Sequence, residues 1–530
     1  MTDSSPLTVR SAGVLLHVTS LPSAYGIGDV GPAAHAWIDL LARSGQRWWQ
    51  ILPLGPVGFG GSPYSASSSL AINTLLLSPD ALITDELLRP SDVAGATFNP
   101  RQVEFEKVGT FKDALLRLAW ERFQAGAAPD LREPLDAFRR AQADWIEDYA
   151  LYAALRDRHA GGAWSEWPAD LVRREPRTVA AARRDLAEAI ERCVFGQFLA
   201  DRQWQALRRH ARERGVGIIG DLPIFVAWDS HDVWASPNQF LLDADRRPRA
   251  VAGVPPDYFS PTGQLWGNPL YDWEAARRDG YAWWVRRMRR TMELVDLARL
   301  DHFRGLQAAW HVPVDSLTAE IGSWKPGPGA DLLTRLRTAL GGLPLIAEDL
   351  GMITPAVHAL RNRFDLPGMS VLQFAFDGDP RNPFLPHNQR RNSVVYTGTH
   401  DNDTTVGWYR SLTPTEQGQV RVYTNTDGHD IAWDLIRMAW GAVANTAIAP
   451  VQDLLLLDTS ARMNRPGVAD GNWDWRLTQD QPVAARLEGL AVLTERYDRL
   501  PTTEPPVACR PTDPAWPPRP GAGEDLLWEF

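Results

Sequence analysis

Apolar residues in this chain gather into short runs, and stretches with apolar positions every three to four residues separate them. The first run, Gly13-Val14-Leu15-Leu16-His17-Val18, has the length of a buried strand. Residues 31–44 then carry Ala34, Trp37, Ile38 and Leu41 at helical spacing, with Gly45 as the stop. Trp48-Trp49-Gln50-Ile51-Leu52-Pro53-Leu54 is a second strand, so strand, helix and parallel strand follow in the order of a βα unit. A loop rich in Gly, Ser and Tyr, Gly58 to Ser69, leaves the end of that strand and holds Tyr64, at the place where a barrel of such units puts its chemistry. From about Ser78 to Arg214 the pattern is helical and amphipathic. It reads mainly as an insertion between barrel strands, its last helix returning to the scaffold.

Val216 to Ile224 is the next buried strand and carries Asp221 near its end. A long irregular loop follows, roughly 227–273, containing Val254-Pro255-Pro256-Asp257-Tyr258-Phe259-Ser260 and Gln264-Leu265-Trp266-Gly267-Asn268-Pro269. Loops of that length are uncommon in compact domains and are usually functional. A helix from about Trp273 to Glu293 leads to a strand over 294–300. The organisation expected is residues 1–77 as the first barrel strands and loops, 78–195 as a mainly helical insertion, and 196–500 as the rest of the barrel with a loop insertion at about 227–273. Residues 501–530 form a tail with eight prolines that ends in Leu526-Leu527-Trp528-Glu529-Phe530. Such a composition suits a mobile segment, and its aromatic end suits docking.

Four successive strand-like segments finish in acids: Leu297 to Asp301, Leu343 to Asp349, Gly368 to Asp377, and Asn392 to Asp403. Asp301, Glu348 and Asp401 follow one another at intervals of roughly 50 residues, the length of a barrel unit with its insertion, and in an α/β barrel such strand ends converge on one pocket. Arg299 and Asp301 are two apart, so on a strand both leave from one face. A permanent guanidinium beside a carboxyl group lowers its pKa, and the expectation is an ionised Asp301 suited to be a nucleophile. Taken alone, Arg-x-Asp reads first as a structural ion pair at a strand end, and the acids downstream change that reading. Two carboxyl groups in one pocket, one ionised and one kept protonated, are the parts for retaining glycoside chemistry, in which they stand about 5 to 5.5 Å apart.

Composition narrows the partners. The 530 residues are 44% hydrophobic and 23% charged, ordinary for a globular protein. A net charge of -10 without a basic block argues against nucleic acid. Cys193 and Cys509 belong to no disulfide framework or zinc pattern. No apolar run approaches the roughly 18 residues needed to span a bilayer, and the N-terminal run is too short for a signal peptide, so a cytoplasmic protein without membrane partners is expected. The 23 tryptophans fit a wide aromatic core or stacking platforms for sugar rings.

Arg299-Leu300-Asp301-His302-Phe303-Arg304-Gly305, Ala347-Glu348-Asp349-Leu350-Gly351 and Gly398-Thr399-His400-Asp401-Asn402-Asp403-Thr404 resemble the motifs of the amylomaltases, cytoplasmic 4-α-glucanotransferases of the α-amylase clan. Further matching segments are His17 to Pro22 with Tyr25 to Asp29, Ser62-Pro63-Tyr64, Gly220 to Pro223, Trp266 to Tyr271 and Ala461 to Gly467, so the resemblance runs from about residue 13 to 500. It does not extend to the proline-rich tail. It implies a (β/α)8 TIM barrel with large helical and loop insertions and no separate C-terminal β-sandwich domain. It implies that α-1,4-glucan segments pass between malto-oligosaccharide, amylose or starch-type donors and acceptors. Asp301 would be the nucleophile, Glu348 the general acid and base, and Asp401 the stabiliser of the transition state. Tyr64, Asp221, Arg299, His302, His400 and Trp266 would hold the sugar, joined by Gln264 and Asp377, and Tyr258 and Phe259 would sit on a lid over the acceptor channel. No cofactor is implied, and a monomer or weak homo-oligomer is expected.

Two other classes share these residues. A plain retaining α-glucan hydrolase would use the same three carboxylates, since water and a sugar hydroxyl attack the same intermediate with the same base. A catalytically dead glucan-binding protein predicts loss of one acid, and all three are in place. Neither a calcium-type oxygen-ligand loop nor another metal motif stands out. Turnover after exhaustive treatment with a chelator is therefore expected to stay within about twofold of the untreated rate, and its abolition would show an obligatory metal.

Overall fold

The computed structural model describes residues 7–256 and 260–501. Its strands are β1 (Ser11–Leu15), β2 (Trp48–Gln50), β3 (Gly217–Pro223), β4 (Ala250–Val254), β5 (Gln264–Pro269), β6 (Leu297–Asp301), β7 (Ala308–Pro313), β8 (Ser323–Pro326), β9 (Leu345–Ala347), β10 (Gly368–Val371), β11 (Ser393–Tyr396) and β12 (Thr446–Pro450). Eight of them pair in the order β10-β11-β12-β1-β2-β3-β6-β9, every pairing parallel. The Ala347 N–H donates to the Pro367 carbonyl at 2.8 Å and brings β9 to the start of β10, so the ends of the sheet meet and the expected TIM barrel results.

Parallel strands covered on both faces read as nearly continuous apolar runs, which is why these segments were visible in the sequence. Close packing makes its own demands. Gly13 is required because a Cβ there would lie 2.4 Å from the Trp48 carbonyl oxygen on β2.

Two apolar layers result. One fills the space between strands and helices. The other fills the barrel itself, with Leu15, Trp48, Ile219, Leu297, Ile346, Met369, Val394 and Ile448 contributed one by each barrel strand. Since residues two apart on a strand share a face, this inner layer fixes what stands above it. His17, Gln50, Asp221, Arg299 and Glu348 each follow an inner apolar residue by two positions and form a polar layer at the C-terminal mouth.

Between β2 and β3 the chain is helical, as expected, with Phe105–Gln124, Ile146–Arg158 and a 27-residue helix, Ala187–Glu213. That last helix runs unbroken through residue 195, where a boundary was placed. It docks on the barrel through Trp204 Nε1 to the Leu294 carbonyl at 2.7 Å and through Arg208 to Asp296 at 2.8 Å, while Asp296 also accepts the N–H of Ile218 at the start of β3.

The stretch 227–273 is more ordered than a loop reading allows. It holds a short helix, His231–Ala235, and strands β4 and β5, which join β7 and β8 in an antiparallel sheet ordered β5-β4-β7-β8. β4 pairs with β5, the next strand in the chain, and on its other side with β7, which lies beyond β6 in sequence, so only half of its pairing is local. The helix expected over 273–293 is two, Trp273–Arg278 and Ala282–Leu294, broken where Gly280 and Tyr281 take positive φ.

Arg499 closes the other end of the barrel. Fully buried, it donates to the carbonyls of Ser11, Ala439, Trp440, Ala442, Ala444 and Asn445, joining β1, the approach to β12 and the C-terminal turn of the helix Ile431–Gly441. Removing it strands buried acceptors and the positive charge that the helix end favours. Arg499→Ala is expected to lose on the order of 3 kcal/mol in denaturant unfolding, with Arg499→Lys recovering part of it; a variant within about 1 kcal/mol of the parent would refute this bracing role.

Candidate active site

The mouth of the barrel is organised by one guanidinium. On β6, Leu297 faces the inner layer, so Arg299 and Asp301 rise from the same side. The register sets Arg299 opposite Asp221 of β3. One Arg299 nitrogen donates to both oxygens of Asp221, at 2.9 and 2.7 Å, and its other terminal nitrogen lies 2.8 Å from Asp301. The Tyr64 hydroxyl donates to Asp221 at 2.8 Å. Burial opposes the charge on Arg299, but Asp221 and Asp301 more than offset that cost, so it stays cationic. Tyr64 stays a neutral donor, since burial and then Asp221 drive its pKa far upward.

His302 takes the left-handed conformation, φ 52° and ψ 48°, unusual outside glycine and of the kind that clusters at functional sites. The sharp turn it makes aims its own N–H at Glu348, 2.7 Å from one carboxyl oxygen, while the N–H of Leu350 bonds the other at 2.8 Å. Glu348, one residue beyond β9, is thereby tied to the residue next to Asp301. The side chain of His302 meets the ring of Trp266 edge to face, with centroids 4.8 Å apart, and its Nε2 is buried without a hydrogen-bond partner among the described residues. Burial, and then the charge of Arg304, hold its pKa down at about 3, so the ring is neutral. Trp266 is 37% exposed and donates to Gln264 at 3.2 Å, giving a broad aromatic face beside the mouth.

On the far side, Asp401 lies past β11. Its carboxylate accepts from Asn464 at 2.6 Å and stands 3.4 Å from His400, and Arg462 donates to its backbone carbonyl at 2.7 Å. His400 stacks on Tyr64 with centroids 5.1 Å apart and planes inclined by 16°, and Trp473 packs against both rings. Tyr64, Asp221, Trp266, Gln264, Arg299, Asp301, His302, Glu348, His400 and Asp401 thus form one connected set. Asp377 makes no contact with that set among the described residues: it is exposed, six residues past β10, and accepts the N–H of Asp379. Tyr258 and Phe259 lie outside the described residues. Asp349 and Asp403 bond elsewhere, Asp349 to Arg361 and the Met369 N–H and Asp403 to Thr459.

Asn464, Arg462, Trp473 and His17 were not picked out as site residues. The first two stand in Ala461-Arg462-Met463-Asn464-Arg465-Pro466-Gly467, polar and far from any strand end in sequence, where only contact with Asp401 reveals their use. His17 accepts the N–H of Leu52 at 3.2 Å beneath the mouth. Nothing in the sequence distinguishes Trp473 from the other tryptophans.

The electrostatics correct one expectation. Arg299 does pull the Asp301 pKa down, but burial outweighs it, and Asp221 and Asp401 add to the rise, so the net shift is up to about 6. Glu348 goes further, to about 8: burial dominates, Arg299 opposes it, Asp301 adds to it, and the two backbone N–H groups only partly restrain it. At neutral pH the mouth therefore holds an ionised Asp301 beside a mainly protonated Glu348, an acid and a base in one pocket.

The 4-alpha-glucanotransferase family model matches residues 16–481. A 4-alpha-glucanotransferase of Synechocystis sp. is 48% identical over 93% of this chain and 99% of its own length. One of Thermus thermophilus is 46% identical, over 92% and 99%. Among solved structures, the amylomaltase of Streptococcus agalactiae in complex with acarbose superposes with a TM-score of 0.89 at 35% identity, over 92% of this chain and 99% of that one. With a family match across most of its length and relatives of this identity, the chain belongs to the 4-alpha-glucanotransferase family, glycoside hydrolase family 77.

Proposed function

We propose that Asp301 is the nucleophile, Glu348 the general acid and base, and Asp401 the stabilising carboxylate of this 4-alpha-glucanotransferase. The observation that carries this reading is the meeting of three carboxyl groups at one barrel mouth, with Asp301 paired to Arg299 while Glu348 is held by two backbone N–H groups and Asp401 by Asn464. Asp301 attacks the anomeric carbon of a glucose unit while Glu348 gives its proton to the glycosidic oxygen, and the chain beyond that oxygen leaves as an alcohol. A covalent glycosyl-enzyme remains. Glu348, now a carboxylate, takes the proton from the 4-hydroxyl of a second glucan as that oxygen displaces Asp301, and both residues return to their starting states with the anomeric configuration retained. Both Glu348 oxygens accept backbone N–H groups, which fixes the carboxyl plane for a proton it must give and recover.

Asp401, held by Asn464 and close to His400, supplies negative charge at the mouth, where positive charge develops on the sugar ring. Arg299 stays bound to Asp221 and Asp301, so it prevents Asp301 from taking up the proton that Glu348 carries. Tyr64, His302, His400, Gln264 and Trp266 are the proposed sugar contacts, with Trp266 offering a ring face for stacking. The substrates proposed are α-1,4-glucans as donor and acceptor, met in the cytoplasm. Among the described residues no helix is long and apolar enough to cross a membrane.

Pure maltotriose is expected to give glucose together with maltopentaose and longer chains at a constant number of reducing ends; a rising number would identify water as the acceptor. Asp301→Asn should abolish this exchange while malto-oligosaccharide binding persists, and retained turnover would remove Asp301 from its role. The pH profile follows from the two shifts. Asp301 must be ionised, so kcat/KM rises as pH passes about 6, and Glu348 must be protonated, so it falls as pH passes about 8. Glu348→Gln should cost about 10²- to 10⁴-fold and erase the alkaline limb, and an alkaline limb that survives would assign it to another group.

A further inference from the structure

Two side chains on the turn after β6 reach opposite edges of the four-stranded sheet. His302 meets Trp266 of β5 at one edge. Arg304 places its guanidinium over the ring of Trp324 on β8 at the other edge, 3.7 Å from the ring centroid. Arg304 also donates to the carbonyl of Met352, four residues beyond Glu348. It is 5% exposed, and among the described residues no carboxylate forms an ion pair with it, so burial alone depresses its pKa. A buried cation without a counter-charge is costly, and an aliphatic side chain would fill the same space more cheaply. What the guanidinium does that an aliphatic group cannot is stack on an aromatic face while donating a directed hydrogen bond. The end of β8 is bonded to the same turn, with the Gly327 N–H on the Gln307 carbonyl at 2.9 Å. Gly327 has no room for a Cβ, which would lie 2.3 Å from the Leu306 carbonyl oxygen.

We propose that Arg304, acting through Trp324, is a positioning residue that seats the antiparallel sheet, and with it Gln264 and Trp266, against the catalytic mouth, and that this seating decides how the glycosyl-enzyme divides between a sugar acceptor and water. The inference rests on the glucanotransferase reading of the site. A sugar acceptor needs an aromatic surface at a fixed place; water needs none. Loosening the sheet therefore penalises transfer more than hydrolysis.

The test compares the parent with Trp324→Ala, Trp324→Phe, Arg304→Met and the Arg304→Met/Trp324→Ala double variant, all shown folded by their unfolding transitions. Transfer is read as maltopentaose formed from maltotriose, hydrolysis as new reducing ends, and acceptor affinity from the KM for added glucose. Either Trp324→Ala or Arg304→Met is expected to lower the transfer-to-hydrolysis ratio about tenfold and raise the acceptor KM, Trp324→Phe to keep the ratio within about twofold, and the double variant to be no worse than the singles. An unchanged ratio, an equal fall in both rates, or effects that multiply in the double variant would overturn the proposal. Should the Arg304→Met variants not fold, the Ala and Phe variants at Trp324, which lies on an edge strand, decide the matter between them. Asp301→Asn run in parallel separates the two levels: activity surviving there would refute the glucanotransferase reading itself, whatever the ratio does.

Discussion

Arg299 is the charge on which the mouth depends. A barrel lined with carboxylates above a dry apolar layer would repel itself or take up protons until it was inert. One buried guanidinium, anchored by Asp221 and extended to Asp301, supplies the counter-charge, and Tyr64 closes the triad by donating to Asp221. Its position follows from the strand period: Leu297 fills the inner layer, Arg299 stands above it, and Asp301 stands above Arg299. The same two-residue step lifts Asp221 above Ile219 and Glu348 above Ile346. The apolar packing of the barrel thus sets the height at which the chemistry occurs.

The order of protonation comes from a contest of terms. Burial pushes both Asp301 and Glu348 upward, but only Asp301 is paired directly with Arg299, at 2.8 Å. Glu348 receives two backbone N–H groups, which favour its ionised form less than a guanidinium does, and it also feels the negative charge of Asp301. The gap between the two groups is therefore built from one contact and its absence. When Asp301 becomes esterified to sugar its charge disappears, and with it the contribution that Asp301 adds to burial in holding a proton on Glu348. That change turns the acid of the first step into the base of the second.

Much of this was legible in the chain. Buried parallel strands leave apolar runs, and Arg299 and Asp301, Glu348, and His400 and Asp401 stand at or just past the ends of such runs because barrel mouths are built there. What could not be read were quantities set by distant partners. The charge of Arg299 two residues from Asp301 is visible, whereas the burial that overrides it is not, so the direction of the Asp301 shift was misjudged. β4 is five residues of alanine, valine and glycine, and although it pairs with the neighbouring β5, its second partner β7 arrives only after a complete barrel strand, so the region looked irregular. Asp377 stands in an acid-ended run like the others, but the strand stops at Val371, and the aspartate is exposed and accepts the N–H of Asp379. Asn464 has no strand to mark it at all.

The three carboxylates do not by themselves separate a transferase from a hydrolase, because both reactions pass through one intermediate and one base. The distinction has to lie in groups that recognise a second sugar and take no part in bond breaking. In this barrel one such group is Trp266, exposed beside the mouth on an edge strand of the antiparallel sheet and touching His302, whose N–H holds Glu348. Residues 301 to 304 consequently join three tasks in four positions: Asp301 bonds to sugar, His302 orients the acid through its backbone and meets Trp266 through its ring, and Arg304 reaches Trp324 across the sheet. A turn that carries so many directed contacts has to be stiff, and the left-handed backbone of His302 is the conformational cost of placing them all within one short stretch.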